Sequence, residues 1–289
     1  MTLFQAVILS LLQGITEPFP VSSLGHAVLL PALLHWPLDE HSPLFLPFLT
    51  MLHVGTLVAL AHVFWADWWM ILSGLFTPRQ TPQKRSQAIH LCRLLVVATL
   101  PAVFIGGIFE HYLRHIFASP LMVAGFLTLN GLLLITTEAM RRRALRQTHF
   151  SKNDSPKLDS LTLKDALSIG FWQCLALLPG LSRSGATING GLMRGLDHLT
   201  ATRFSLLMAQ PIILAATAKE AWQLRHAHLS TPIIEQSLLG AFIAGITAFI
   251  CSRLLLRFFK EESQHTLTGF GLYCLIAGIG SGLWLYIAP

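Results

Sequence analysis

Charged residues are scarce in this chain. Asp, Glu, Lys and Arg make up 12% of its 289 residues, against 53% hydrophobic, and the mean hydropathy is +0.59. A soluble domain carries about twice that share of charge, so a polytopic membrane protein is indicated. Cysteine is sparse too. Cys92, Cys174, Cys251 and Cys274 lie singly in apolar runs with no CxxC pair, which excludes a thiolate metal site and leaves them as small core residues. Met1–Ala6 contain no lysine or arginine, which argues against a cleaved signal peptide. The formal charge of +6 and the pI near 9.5 could suggest nucleic acid. The basic residues, however, cluster in short loops between apolar runs, a pattern set by membrane orientation, so no nucleic-acid partner is expected.

The apolar runs number eight, and two of them are interrupted. Residues 1–34 hold an apolar stretch of about fourteen residues, too short to cross a bilayer core as a helix. A polar break, Ile15-Thr-Glu-Pro-Phe-Pro-Val-Ser-Ser-Leu-Gly-His26, and a second short run follow. A break of this kind survives at membrane depth only inside protein or beside a wet cavity, so a re-entrant helical hairpin is predicted. Six spans are predicted near 44–65, 88–109, 120–140, 204–222, 233–252 and 267–288. Between the third and fourth lies the second interrupted segment, 165–200.

Loop charge orients these elements. Arg79, Lys84 and Arg85 follow the first span. Arg141, Arg142, Arg143, Arg146, Lys152 and Lys157 follow the third, and Arg253, Arg257 and Lys260 the fifth. The alternate loops, near 35–43, 110–119 and 223–232, carry only Arg114 and Arg225. Positive-inside bias puts the three basic loops in the cytoplasm and both termini outside, provided each hairpin returns to its own side. The expected fold is therefore an all-α polytopic membrane protein with an inverted-topology repeat. Residues 1–140 form the first half, 141–164 a basic linker and 165–289 the second half, each half a re-entrant hairpin plus three transmembrane helices. In such folds the broken helices meet near the midplane and build the site there.

The densest polar stretch is Pro179-Gly-Leu-Ser-Arg-Ser-Gly-Ala-Thr187. Hydroxyls and free N–H groups around one arginine suit a phosphate, and an arginine in an apolar segment is costly enough to be kept for a task. Ser182, Arg183, Ser184 and Thr187 should therefore face Glu17, Ser22, Ser23 and His26 of the first break. Glu17, the only carboxylate before Asp39, needs a cation, a proton or a wet cavity. His26, three residues after Ser23, offers that hydroxyl a base. Nucleophile, base, carboxylate and anion clamp together describe phosphoryl or acyl transfer, and the arginine with its hydroxyls favours phosphoryl. His53 is placed at the cavity border, with a satisfied helix histidine as the alternative. Gln173 and Asn189 are placed as hydrogen-bonding supports of the second break. Trp65, Trp68 and Trp69, with Asp67, read as an interfacial belt, and Glu138 as a helix-end charge.

Gln13-Gly-Ile-Thr-Glu17, Pro20-Val-Ser-Ser-Leu-Gly-His26 and Pro179-Gly-Leu-Ser-Arg-Ser-Gly-Ala-Thr-Ile188 resemble motifs of the undecaprenyl-diphosphatase family, the bacitracin-resistance type of bacterial lipid phosphatase. Trp172-Gln-Cys-Leu-Ala-Leu-Leu178 and His53-Val-Gly-Thr-Leu57 extend the resemblance over nearly the whole chain. It implies removal of the terminal phosphate of undecaprenyl diphosphate, giving the carrier lipid of peptidoglycan synthesis, and with it bacitracin resistance. It also implies a divalent cation (Mg²⁺ or Ca²⁺) and a site on the outer, periplasmic side of the bacterial inner membrane. The family's (E/Q)xxxE motif falls on Gln13 and Glu17, with Glu17 as metal ligand. Its serine–histidine motif falls on Ser22, Ser23 and His26, and its PGxSRSxxT motif on Ser182, Arg183, Ser184 and Thr187. Gln13 stands where many members carry glutamate, and an amide is a poorer metal ligand. Pro18-Phe19 replaces the more usual Phe-Leu.

The mechanism expected from these roles has Ser23 attack the terminal phosphorus with His26 as base, while Arg183, Ser182, Ser184 and Thr187 hold the oxygens. Direct attack by water is the rival route. A polyprenyl-phosphate transporter or flippase using the same midplane site is the alternative function. The lipid phosphatases that use a histidine nucleophile are disfavoured, because Asn189 stands where that histidine would follow Arg183. Homo-oligomer formation is left open.

Overall fold

Apolar runs without an interior break become long helices. The computed structural model describes residues 1–36, 45–77, 80–117, 119–148, 158–225, 231–261 and 266–287, and among them it holds eleven α-helices and no strand. They are α1 (Leu3–Thr16), α2 (Ser23–Leu33), α3 (Phe45–Val63), α4 (Trp65–Phe76), α5 (Pro82–Phe117), α6 (Pro120–Thr148), α7 (Leu163–Cys174), α8 (Arg183–Met193), α9 (His198–Leu224), α10 (Thr231–Glu261) and α11 (Thr266–Ile287). Five of them, α5, α6, α9, α10 and α11, are long and apolar enough to cross a bilayer, and α3 with α4 makes a bent sixth. Large apolar side chains such as Phe104, Ile108, Phe242 and Ile276 are exposed on their outer faces. Lipid, unlike water, solvates such a surface. The chain is a multi-pass membrane protein.

Both interrupted segments fold as two short helices around a break. Thr2 caps α1 and Thr162 caps α7, each in a reciprocal capping box, with Gln5 and with Asp165. Ser22 caps α2 by accepting from the Gly25 N–H, and Ser182 caps α8 by accepting from the Gly185 N–H. The two hairpins lie inside the bundle. α1 packs on α10, α7 on α5, and both α2 and α8 pack on α6. Gly180 shows how tightly the second break is held. Its φ is +104°, and a Cβ there would lie 2.4 Å from the Val123 carbonyl oxygen of α6, so no other residue fits without movement.

Two features differ from the sequence expectation. The span predicted at 44–65 ends at Val63, and the chain turns through 75° into α4. Trp65 and Trp69 are exposed as a belt requires. Trp68, however, donates to Gln210 Oε1 at 2.7 Å, and Asp67 pairs with Arg203 at 3.1 Å, so α4 is stapled to α9 by the residues read as belt. The second difference concerns the linker. α6 continues through Arg141, Arg142, Arg143 and Arg146 to Thr148, because arginine, alanine and leucine sustain a helix. Residues 149–157, with Lys152 and Lys157, lie outside the described residues, as do Asp39 and Arg79. Glu138 is no surface charge. It is fully buried, accepts from His198 Nε2 at 2.7 Å and pairs with Arg142 at 3.3 Å, while Arg142 reaches Thr268 of α11.

Candidate active site

The breaks meet, and their contact is mostly backbone to side chain. Ser184 Oγ donates to the Phe19 carbonyl at 2.8 Å, and Ser182 Oγ lies 3.0 Å from Ser184 Oγ. Asn130 of α6 closes the junction from behind. Its Nδ2 donates to the Pro20 carbonyl at 2.9 Å, and its Oδ1 accepts from the Ser182 N–H at 3.1 Å. One buried amide thus pins both loops. Nothing local in the sequence distinguishes Asn130 from any lone polar residue in an apolar span, and it was not among the expected site residues.

At the centre stands Glu17, at the C-terminal end of α1 and only 7% exposed. Its Oε1 accepts from Arg183 Nη2 at 2.8 Å. Its Oε2 accepts from Ser23 Oγ at 2.7 Å and from Gln13 Nε2 at 3.1 Å. His53 of α3 brings Nε2 to 3.8 Å from the same oxygen, while its Nδ1–H donates to the Leu49 carbonyl. Glutamine at position 13 therefore donates to Glu17, where a second carboxylate would repel it. Arg183 Nη1 also reaches the Ser205 carbonyl of α9 at 3.5 Å.

Glu17, Ser22, Ser23, His53, Ser182, Arg183 and Ser184 all line one cavity of about 330 Å³. It is also lined by Leu49 and Thr50 of α3 and by Ile213, Thr217 and Glu220 of α9. The N-termini of α2 and α8 open onto it through Ser23, Leu24, Arg183 and Ser184. The serine caps occupy the third N–H of each helix, at Gly25 and Gly185. The first N–H groups of a helix have no partner within it, so two helix ends and one guanidinium converge on an anion-sized space.

Four expected placements differ. His26 is hydrogen-bonded elsewhere than to Ser23. Its Nδ1–H donates to the Ser22 carbonyl at 2.7 Å, and its Nε2 lies 2.7 Å from the Tyr273 hydroxyl, with the two rings stacked. With Nδ1 protonated, Nε2 must accept from that hydroxyl, so the ring has no lone pair left for a serine proton. Ser22 has φ +68°, a strained value for a residue with a Cβ, and the His26 ring holds that turn. Thr187 also turns away, to the Arg183 carbonyl at 2.8 Å and to Ser205 Oγ at 2.6 Å, outside the cavity lining. Ser182 and Ser184 line the cavity, yet their protons go to each other and to Phe19. Ser22 Oγ accepts from the Gly25 N–H, and among the described residues its own proton has no acceptor. Finally, Gln173 and Asn189 are buried. Both amide atoms of Gln173 and Oδ1 of Asn189 lack a partner among the described residues.

The donor set also bears on the expected metal. Among the described residues no three His, Cys, Asp or Glu side chains cluster as a metal cage. The cavity carries two carboxylates, Glu17, whose oxygens are engaged, and Glu220, whose Oε2 is buried with no partner among the described residues. One or two carboxylates fit a hard divalent cation that keeps several waters and takes its remaining ligands from substrate phosphates.

The chain is similar to known proteins over nearly its whole length. The profile of the family described as Bacitracin resistance protein BacA matches residues 6–280. An undecaprenyl-diphosphatase of Gluconobacter oxydans (strain 621H) is 62% identical over 282 residues, covering 98% of each chain. One of Gluconacetobacter diazotrophicus is 50% identical, over 96% of this chain and 95% of the relative. One of Mycolicibacterium paratuberculosis is 41% identical, over 97% and 96%.

Proposed function

The chain belongs to the bacitracin resistance protein BacA family, and from that premise we propose how its cavity works. It is a membrane phosphatase that hydrolyses undecaprenyl diphosphate to undecaprenyl phosphate and phosphate, which returns the carrier lipid to cell-wall synthesis. The observation that carries the mechanism is the relay Ser23–Glu17–Arg183 on the wall of a cavity faced by two helix N-termini.

The diphosphate enters with its terminal phosphoryl oxygens toward Arg183 and the N–H groups that open α2 and α8. Ser23 Oγ attacks the terminal phosphorus, and its proton passes to Glu17 Oε2, to which it is already hydrogen-bonded. The bond from phosphorus to the bridging oxygen breaks, and undecaprenyl phosphate leaves with those electrons. Water then attacks the phosphorus of the phosphoserine, and the bond from phosphorus to Ser23 Oγ breaks. Glu17 returns the proton to that oxygen, and dihydrogen phosphate leaves with both protons of the water. Arg183 stabilises the charge on the equatorial oxygens in both steps. A divalent cation, when bound, supplies further screening of the diphosphate charge, and the protein carboxylate available to it beside Ser23 and Arg183 is Glu17. His26 acts as a positioning residue for the Ser22–Ser23 turn.

The halves 1–140 and 165–289 form an inverted repeat in this reading. Its support is reciprocal packing, α1 on α10 and α7 on α5. One register also pairs Thr2 with Thr162, Gln5 with Asp165, Ser22 with Ser182 and Gly25 with Gly185, each in the same capping role. In this reading the basic ends of α6 and α10 face the cytoplasm of the inner membrane and the cavity opens to the outer side, with positive-inside bias as its support.

Trapping tests the covalent route. Protein quenched during turnover of ³²P-labelled substrate should carry label that is lost in Ser23→Ala. Sustained turnover in Ser23→Ala would instead favour attack by water with Glu17 as its base.

A further inference from the structure

α11 holds no member of the relay, yet three of its side chains bear on the first break. Phe270 packs its ring 5.5 Å from that of Phe19. Cys274 is buried, with its Sγ 3.3 Å from Asn130 Nδ2, the group that donates to the Pro20 carbonyl. Tyr273 sets its hydroxyl 2.7 Å from His26 Nε2 and stacks its ring on the imidazole, 4° from parallel. α11 is a firm base for these contacts. A Cβ on its Gly271 would lie 2.6 Å from Ile135 of α6, so the two helices are pressed together.

The tyrosine hydroxyl matters because of what the imidazole does at its other nitrogen. The Ser22 carbonyl accepts from the His26 backbone N–H at 3.2 Å and from Nδ1–H at 2.7 Å. That carbonyl belongs to the peptide that opens α2 at Ser23, and Ser22 is held at φ +68°. A residue with a Cβ keeps such a φ only while its surroundings over-determine it. Relaxation there would turn the Ser22–Ser23 peptide and carry Ser23 Oγ away from Glu17 Oε2, which it meets at 2.7 Å. In a neutral imidazole, Nδ1 stays the donor only while Nε2 is the acceptor, and the bond made at one nitrogen fixes the tautomer. Tyr273 makes that bond. It is half exposed on a membrane-spanning helix, where lipid offers its proton no other acceptor.

We propose that Tyr273 is a positioning residue for the phosphatase reaction: from α11 it fixes the His26 tautomer, so that the Ser22–Ser23 turn keeps the nucleophile on Glu17. This rests on the diphosphatase reading, with Ser23 as the nucleophile. Tyr273 is not among the residues that line the cavity, so its contribution passes through His26.

The test compares purified full-length wild type in detergent with Tyr273→Phe, which deletes the hydroxyl and keeps the stacked ring. Its kcat should fall about threefold to tenfold, the range for one interhelical hydrogen bond in a membrane bundle. KM should stay unchanged, because no substrate contact is lost. In His26→Asn the side chain ends short of Tyr273, so adding Tyr273→Phe to that variant should cost nothing more. Histidine ¹⁵N spectra give a readout independent of turnover. The His26 signals, identified by their absence from His26→Asn, should show a protonated Nδ1 and an unprotonated, hydrogen-bonded Nε2. Tyr273→Phe should move the Nε2 signal toward that of a nitrogen with no donor. Wild-type kcat in Tyr273→Phe, an equal loss in the His26→Asn background, or an unmoved Nε2 signal would each overturn the proposal. Absence of phosphate release from undecaprenyl diphosphate by wild type would instead remove the reaction that Tyr273 serves, while the nitrogen signals still report the Tyr273–His26 bond.

Discussion

Glu17 and Arg183 form a buried ion pair whose members fail differently when either is removed. Glu17→Gln leaves the guanidinium without its anion and should cost about 3 kcal/mol of stability as well as activity. Arg183→Ala leaves a carboxylate that can take up a proton, so the protein should still purify as a folded species. Its kcat should drop by about 10³-fold or more, the scale of an arginine acting on a transferring phosphoryl group. A monodisperse elution profile and a phosphate-release assay check both halves of this prediction. His26 separates the two accounts of the serine. Asn presents a donor near the position of Nδ1, so His26→Asn should keep the bond to the Ser22 carbonyl and retain activity within about tenfold. A general base would be worth about 10²–10⁴, and a loss of that size with an altered pH–rate profile would restore His26 as the base. The residue types and their segments were legible in the motifs. The ring's direction was not, since a three-residue spacing does not say whether an imidazole meets the serine before it or the carbonyl behind it. Ser205 and Asn130 escaped for a related reason, each being one polar residue in an apolar helix whose partners are distant in sequence.

Among the elements, the two hairpins carry the same construction with different chemistry. Their shared register sets Ser23 against Arg183, each the first residue of its helix, and Gln13 against Gln173. Glu17 meets Leu177 in that register, which explains why Gln13 has a carboxylate to donate to and Gln173 has none. The breaks were legible because polar residues interrupt runs too short to span. The bend after α3 was not, because Trp65–Phe76 is as apolar as the span before it, and what holds it is packing on α5 together with Trp68–Gln210 and Asp67–Arg203, partners distant in sequence. Trp68→Phe removes the indole donor to buried Gln210 and should cost about 1 kcal/mol, the usual scale for such bonds in membrane bundles, read as a lower thermal midpoint in detergent. Gly180→Ala is the harsher change. It combines a disfavoured φ with a Cβ close to the Val123 carbonyl, and should cost about 2–4 kcal/mol and displace Ser182 and Arg183 from the cavity. Wild-type stability and turnover in that variant would mean the break tolerates a different path.

For the molecule as a whole, charge decides orientation and burial decides what the charge can do. The spans at α5, α6, α9, α10 and α11 follow from hydropathy alone, and the loop charges suggest which way they run. Hydropathy could not show that Glu138, next to an arginine cluster, is drawn inward by His198 and ties α6 to α9 and, through Arg142, to α11. Orientation can be checked with Arg146→Cys in a background lacking the four native cysteines. In intact cells a membrane-impermeant maleimide should leave it unlabelled until the membrane is permeabilised, and labelling before permeabilisation would invert the arrangement.

One cavity, framed by two helix N-termini and the Ser23–Glu17–Arg183 relay, both holds and cleaves the diphosphate in the mechanism proposed above. The most direct test is phosphate release from undecaprenyl diphosphate by the purified protein in detergent, with and without EDTA, beside Arg183→Ala. Cation-dependent release by wild type, absent from an equally well-folded Arg183→Ala, is the predicted result. Equal release by the two proteins, or none from wild type that still binds the headgroup, would contradict it.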